Sequence, residues 1–238
     1  MKIALVFSGQ PRFINSLAYQ SIKYHILNNY DCDVYAHFWF SSNKNKLYET
    51  APWNNSGNIQ LPENSITEFI ELYKPLKIIY EEPYADSELV TRLYERVNHP
   101  KLPYNTRSMY ISHKKAYSLV DNPDKYDFII RIRSDDMIFI FPDLNTLDTS
   151  KNYVFLQDES RGIINDAFAI MNNKHAKYIF NGIDILDILY DNGILFNNEE
   201  LFRGIFEYYN IFNDTVLYNN DKLKLGFIRT DKIDIWKE

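Results

Sequence analysis

The sequence DFIIRIRSDD, residues 127–136, decides the fold prediction. It begins as an apolar run and then alternates, so that Arg131 and Arg133 share one face of the predicted strand. A mostly apolar strand suits the middle of a sheet that is covered on both faces. In an open α/β sheet, ligands bind beyond the carboxyl ends of the strands, and Asp135 and Asp136 follow this strand directly.

The adjacent carboxylates of Asp135 and Asp136 predict a cation site. Carboxylates are hard oxygen ligands that suit Mg²⁺ or Mn²⁺ and, through the metal, a diphosphate. Arg131 and Arg133 could hold phosphate or orient the carboxylates. The alternative is an acidic turn after a strand, with both arginines in ordinary ion pairs. These residues alone leave both interpretations open.

Length and composition favour one large folded α/β domain, since 238 residues with 45% apolar and 24% charged side chains are ordinary for a globular protein. The net charge of −6 and the lack of a long basic block argue against general nucleic-acid binding. The single cysteine, Cys32, excludes an intramolecular disulfide and a cysteine-based zinc cluster. The sequence has no apolar span of 18 residues, so no transmembrane helix is predicted. We therefore expect a cytoplasmic protein, with peripheral membrane attachment or a virus-infected cell as alternatives.

The chain opens with a predicted strand at residues 2–7, the turn Ser-Gly-Gln-Pro-Arg at 8–12, and a helix capped by Asn15 or Ser16. This order is typical of the first unit of a nucleotide-binding α/β domain. Backbone N–H groups of the turn could face a phosphate or a base, with Arg12 as a phosphate partner.

Strands and helices continue to alternate along the chain. Further strands are predicted at residues 33–40, 76–80, 153–156 and 167–171, with a last strand of edge character at 223–227. Helices are predicted from a capping box at Ser65 and Glu68, from Asn105 or Thr106, at residues 174–180 and 183–190, and from Asn197. Two loops are predicted, at residues 41–62 and 157–164. In the first, Trp53 could be a lid or stacking residue, or could hold the loop in place.

The order of these elements and three short motifs resemble the GT-A glycosyltransferase fold. Ser134-Asp135-Asp136 looks like a variant of its Asp-x-Asp signature, with Ser where the strict signature has Asp. Asn165-Asp166-Ala167-Phe168-Ala169 resembles the acceptor-side segment of small GT-A enzymes from bacterial and viral surface-glycan systems. The turn at residues 8–12 also looks like those proteins, so the resemblance covers most of the chain.

The resemblance implies one α/β, GT-A-like (Rossmann-like) domain over residues 1–238, with a mixed, mostly parallel central sheet flanked by helices. Residues 1–136 would form the nucleotide-sugar-binding half and residues 137–238 the acceptor-side half. The implied activity is metal-dependent transfer of a sugar from a nucleotide diphosphate sugar to a hydroxyl of a glycan or a lipid-linked acceptor.

The resemblance also implies roles for individual residues. Asp136, the last carboxylate of the signature, together with Asp135 would hold Mn²⁺ or Mg²⁺. Asp166 would be the general base of an inverting enzyme, with Glu199 and Glu200 as alternatives. The residues on the nucleotide and phosphate side would be Ser8, Gln10, Arg12, Arg131, Arg133 and Asp135.

Other functions stay open at this point. A non-catalytic relative that binds a glycan or a nucleotide is one, and Ser134 gives it weight. A nucleotidyltransferase is another, although the turn at residues 8–12 has one glycine where that class has Gly-Gly-x-Gly-x-Arg. An aspartyl-phosphate phosphatase would need Asp-x-Asp after the first strand, where this chain has Ser-Gly-Gln. The donor, the acceptor and the stereochemical outcome are also open.

Overall fold

A computed structural model describes residues 1–43, 46–49, 58–85, 90, 92, 94–97, 102–158, 162–229 and 232–235. The strands are β1 (Lys2–Gly9), β2 (Asp31–Trp39), β3 (Leu47–Glu49), β4 (Asn58–Gln60), β5 (Lys77–Glu81), β6 (Phe128–Ile132), β7 (Asp136–Ile140), β8 (Asn152–Asp158), β9 (Ile163–Asn172), β10 (Thr215–Tyr218), β11 (Lys224–Arg229) and β12 (Lys232–Ile235). The helices are α1 (Leu17–Ile22), which continues as a π-helical turn to Leu27, α2 (Ser65–Tyr73), α3 (Leu102–Tyr117), α4 (Asn173–Phe180), α5 (Leu186–Asp191) and α6 (Asn198–Tyr208).

A seven-stranded sheet in the order β10-β8-β9-β6-β1-β2-β5 organises the molecule. Strands β6, β1, β2 and β5 run parallel, as do β8 and β10, while β9 is antiparallel to both of its neighbours. The predicted fold class, α/β with a mixed, mostly parallel sheet flanked by helices, is confirmed. Strands from residues 1–136 and from residues 137–238 share this one sheet.

Both faces of the sheet are covered, which explains the continuous apolar runs in β1 and β6. Ile3, Leu5 and Phe7 pack with α1 and α2 on one face, and Ala4 and Val6 point to the other. Helices α3 to α6 cover that second face. Because side chains alternate along a strand, one short sequence contributes to both cores.

The chain leaves the main sheet after β6. Strand β7 pairs with β11, which also pairs with β12, so these three strands form a separate antiparallel sheet. The prediction that residues 223–227 form an edge strand is therefore wrong, since β11 lies between two partners. The alternation of apolar residues and lysines in this strand indicates that one of its faces is covered. It does not indicate how many strands pair with it.

Two local predictions also need correction, and two predicted N-caps are confirmed. Helix α2 has no capping box: Asn64 is the N-cap and makes no side-chain capping bond, while the hydroxyl of Ser65 donates to the carbonyl of Pro62 at 2.7 Å. Helix α3 begins at Leu102, before the predicted start, because Pro103 in a first turn loses no helical N–H bond. The predicted N-caps Ser16 and Asn197 are confirmed by their side-chain bonds to backbone N–H groups.

The two predicted loops are shorter than expected. Strands β3 and β4 pair within residues 41–62, and β8 and β9 extend into residues 157–164. Trp53 lies outside the described residues. None of the helices in the described ranges combines the length and the apolar character that crossing a membrane requires.

Candidate functional site

A cavity of about 150 Å³ lies at the carboxyl ends of β1, β2 and β6, where helix α3 passes over the sheet. This is the edge of an open α/β sheet at which ligands bind. Among the described residues, those that line it are Ser8, Gly9, Gln10, Arg12, Trp39, Pro83, Tyr104, Asn105, Ser108, Met109, His113, Arg133, Asp135 and Asn198. The structure therefore brings together the turn after β1 and the turn after β6, which the sequence separates by more than 100 residues.

Hydrogen bonds from other elements hold the turn after β1 in place. Gly9 has φ +110°, a conformation that a residue with a side chain rarely adopts, and its N–H donates to the Ser112 hydroxyl on α3 at 2.8 Å. The Ser134 hydroxyl accepts from the N–H of Arg12 at 3.0 Å and donates to the carbonyl of Gln10 at 3.2 Å. Ser134, at the position where the strict signature has Asp, therefore joins the two turns, and a carboxylate could not donate the second bond.

Arg133 and Asp135 form a two-pronged ion pair on the wall of the cavity. The guanidinium donates from Nε to Oδ1 at 2.8 Å and from Nη2 to Oδ2 at 2.6 Å. Arg12 brings a second guanidinium, with Nη1 3.9 Å from Asp135 Oδ2, and its Nε donates to Gln10 Oε1 at 2.7 Å. Among the described residues that line the cavity, two positive side chains and one negative side chain therefore converge.

Asp136 lies in a different environment from its neighbour. It is the first residue of β7, is fully buried, and does not line the cavity. Its Oδ2 accepts from the backbone N–H of Arg133 at 2.7 Å, and its Oδ1 has no hydrogen-bond partner among the described residues. Burial raises the pKa of Asp136 well above its usual value, which favours the neutral acid.

This donor set does not fit the divalent metal that the resemblance implies. Both oxygens of Asp135 already accept from Arg133, and a second guanidinium lies beside them. Asp136 is buried behind the cavity wall with a raised pKa, whereas a metal ligand is deprotonated. Within the described ranges, no three His, Cys, Asp or Glu side chains come together as a metal site. We therefore derive no chemical step through a metal.

Two buried polar atoms on the cavity wall have no hydrogen-bond partner among the described residues: Ser8 Oγ and His113 Nδ1. Both residues are only 2% exposed. Burial, together with the charges of Arg131 and Arg133, lowers the pKa of His113 well below its usual value, so the ring is neutral at pH 7. Buried polar atoms normally have partners, so two unpaired polar atoms on one wall indicate a ligand site.

Arg131 lies deeper than Arg133, on the α3 and α6 side of the sheet. It is 1% exposed, its guanidinium lies 5.1 Å from the ring centroid of Phe202, and Nη2 is 3.8 Å from Met109 Sδ. Its Nε and Nη1 have no hydrogen-bond partner in the described part of the chain. Burial lowers its pKa, and the charge of Asp166 opposes that shift. Arg131 is therefore a buried cation with unused donors near a carboxylate.

The structure brings Asp166 together with Glu199 and does not bring Glu200 to the same place. Asp166 lies in β9 beside Asn165, whose Oδ1 accepts from the N–H of Ala167 at 2.9 Å. Burial, followed by the charge of Asp166, raises the pKa of Glu199 to about 7. The Glu200 side chain is exposed, and its backbone N–H donates to the N-cap Asn197 at 2.8 Å.

Sequence reasoning missed several residues of the cavity wall, among them the polar side chains of His113 and Asn198. His113 has the spacing of an apolar helix face, so the pattern placed it in the core. Asn198 follows the N-cap Asn197 of α6, and the sequence pattern explained this pair of asparagines by helix capping. A histidine within an otherwise apolar helical stripe is the one signal that could have identified the site.

Comparisons with known proteins add no relative: the chain matches no protein-family model and has no significant similarity to a curated protein.

Proposed function

We propose that this protein is a glycosyltransferase whose cavity binds the diphosphate of a nucleotide diphosphate sugar. The observation that carries the proposal is the convergence of Arg12, Arg133 and the unpartnered atoms of Ser8 and His113 on one cavity at the carboxyl ends of parallel strands. Arginine forks match phosphate geometry, and the hydroxyl and imidazole offer further polar contacts.

The size of the cavity limits what it can hold. Its volume of about 150 Å³ is below the roughly 300 Å³ at which small-molecule sites begin. It suits a diphosphate group, and the base and the sugar of the donor would extend beyond it. Asn198, the residue before Glu199, lines the cavity, so the first turn of α6 would lie beside the diphosphate end of such a donor.

The proposed reaction is a substitution at the anomeric carbon of the donor sugar. The acceptor oxygen forms a bond to that carbon, the bond from the carbon to the β-phosphate oxygen breaks, and the nucleoside diphosphate leaves with the electron pair. In an inverting enzyme the acceptor's proton passes to a carboxylate, and Asp166 or Glu199 is the candidate. The pKa of Glu199, about 7, is near the value that suits proton transfer at neutral pH.

The acceptor is proposed to be a hydroxyl of a glycan or a lipid-linked sugar, and the location cytoplasmic. The alternative of a non-catalytic binding protein has one observation in its favour: Asp135 is fully engaged in the ion pair with Arg133.

Thermal unfolding with UDP-, GDP-, CMP- and dTDP-sugars, each in Mn²⁺ and in EDTA, tests the proposal. A ligand that binds the native state at 100 times its Kd stabilises it by about 2.7 kcal/mol. We expect one nucleotide class to raise the melting temperature and Arg133→Ala to remove the effect. Arg203→Ala is the matched control, because Arg203 pairs with Glu207 on the exposed side of α6.

Product analysis by NMR then separates the two functions. Release of the nucleoside diphosphate with a new glycosidic bond supports the transferase. Tight nucleotide-sugar binding with no product from any tested glycan or lipid-linked acceptor supports the non-catalytic alternative. No stabilisation by any nucleotide class contradicts the transferase and favours a non-catalytic relative that binds a glycan.

A further inference from the structure

The wall of the cavity carries its own cations. Arg133 is held in one orientation by two bonds to Asp135, 2.8 and 2.6 Å long, and its guanidinium lies 4.9 Å from the ring centroid of Phe227. Such an ion pair fixes the planar fork before a ligand arrives. A side chain that is already oriented loses less conformational freedom on binding an anion.

Arg12 lies on the same wall and is also constrained. It is 7% exposed, its Nε donates to Gln10 Oε1 at 2.7 Å, and its backbone N–H donates to Ser134. Both arginines line the cavity and both lie within ion-pair distance of Asp135. Asp135 therefore has the position of a carboxylate shared between two guanidinium groups.

A divalent cation on Asp135 would be repelled by these two guanidinium groups. Arg133 donates to both Asp135 oxygens, Arg12 Nη1 lies 3.9 Å from Oδ2, and this partly buried wall screens charge poorly. An anion has the opposite preference, because among the described lining residues two guanidinium groups face one carboxylate. A diphosphate would therefore meet on this wall the charge that a metal supplies in other transferases.

We propose that Arg12 and Arg133, and not a divalent metal, neutralise the diphosphate of the donor, and that Asp135 is a positioning residue for Arg133. This inference rests on the proposed glycosyltransferase function and deepens it, since it makes donor binding independent of metal. The ligand class is a nucleoside diphosphate, with inorganic pyrophosphate as its minimal form.

Calorimetric titration of the full chain tests this inference. The probes are UDP, GDP, CDP, dTDP and pyrophosphate, each in EDTA and in Mn²⁺ at matched ionic strength. We expect one nucleoside diphosphate, and pyrophosphate more weakly, to bind with the same Kd within about twofold in both buffers. Mn²⁺ titrated alone should give no heat of binding.

Variants separate the positioning role from a metal-ligand role. Arg133→Ala should weaken binding at least about tenfold in EDTA, and Arg133→Lys should restore little, because it keeps the charge and loses the fork. Asp135→Asn should weaken binding by the same factor in EDTA and in Mn²⁺. Arg203→Ala should change nothing, and circular dichroism checks the folding of each variant.

The outcomes of these titrations distinguish the metal-independent anion site from the proposed glycosyltransferase activity. Nucleotide binding that requires Mn²⁺ and is lost in Asp135→Asn overturns the inference and leaves the transferase standing. Pyrophosphate binding in EDTA that depends on Arg133, without binding of any nucleotide, supports the anion site and contradicts the transferase. Binding that is insensitive to Arg133→Ala, or no binding of any probe, overturns the inference.

Discussion

Two clusters of buried polar side chains lie at opposite ends of the same sheet, and they differ in how well their atoms are paired. At the amino end of β8, Asn152 and Asn172 are 0% and 3% exposed and meet His175. At the carboxyl ends of β1 and β6, Ser8, His113 and Arg131 are equally buried. The first cluster has no unpaired side-chain atom among the described residues, whereas the second has four.

The bonds of the amino-end cluster account for both asparagine side chains. Asn172 Oδ1 accepts from the N–H of His175 at 2.8 Å, and its Nδ2 donates to the carbonyl of Ser150 at 2.8 Å. Asn152 Oδ1 accepts from the N–H of Asn172 at 3.2 Å, and its Nδ2 contacts His175 and Thr215. This cluster closes on itself and fixes the start of α4.

The difference between the two clusters shows that burial of polar groups does not by itself indicate function. A closed cluster stabilises the fold, because each buried group has exchanged water for a protein partner. A cluster with unpaired atoms lowers stability unless a ligand supplies the partners, and such a loss is tolerated where binding needs it. Substitutions at the two ends should therefore have opposite consequences.

The largest effect is expected at the closed cluster. Asn172→Ala removes the N-cap of α4 and leaves buried partners unpaired, so the free energy of unfolding should fall by about 3 kcal/mol. Urea denaturation at pH 7 measures it. Asn197→Ala, which removes only the cap of α6, should cost about 1 kcal/mol. A value for Asn172→Ala no larger than that for Asn197→Ala would remove the distinction between the clusters.

Two buried serines near the carboxyl ends of β1 and β6 should differ in their effect on stability. Ser134→Ala removes bonds to the turn after β1 and should lower the free energy of unfolding by about 1–2 kcal/mol. Ser8→Ala removes an unpaired hydroxyl and should leave it unchanged or raise it by up to about 1 kcal/mol. Both variants should weaken binding of the nucleoside diphosphate. Equal losses of stability would show that Ser8 has a protein partner in solution.

A smaller effect depends on pH and concerns Glu199. Its pKa in the folded protein, about 7, is above its ordinary value of 4.5, so the folded state binds more protons between these values. The free energy of unfolding should therefore fall as pH rises from 4.5 to 7, by roughly 1 kcal/mol after solvent screening. Glu199→Gln should remove this slope, and Glu200→Gln, on the exposed side of α6, should retain it.

Transfer activity should change with pH in the opposite direction to stability. If Glu199 accepts the acceptor's proton, the rate rises as the carboxyl group ionises near pH 7. A rate profile that is unchanged in Glu199→Gln would assign the proton to Asp166.

The smallest effect is expected for the exposed ion pair next to the closed cluster. Lys151 and Asp214 are 2.7 Å apart and lie at the surface, where solvent and salt screen their attraction. Lys151→Ala should not change the urea midpoint measurably, in low or in high salt. A salt-dependent loss would mean that the closed cluster depends on charge as well as on hydrogen bonds.

Local sequence patterns were enough to predict the fold class and to bring the turns after β1 and β6 to one edge of the sheet. Apolar runs such as Ile3–Phe7 are visible in the local sequence, because a strand covered on both faces carries mostly apolar side chains. The caps Ser16 and Asn197 act within three residues, so they too are local. Parallel strands align their carboxyl ends, which was enough to bring residues 8–12 near residues 133–135.

Contacts between segments that are distant in the sequence set which side chains meet at that edge. Asp135 faces two arginines while Asp136 turns into β7, Ser134 joins turns 122 residues apart, and Glu199 rather than Glu200 lies near Asp166. The physical reason is that sequence periodicity fixes a side chain's face only within a regular element. Where a strand ends, hydrogen bonds to distant segments set the direction of the side chain. Those partners cannot be identified from the neighbouring residues of the sequence.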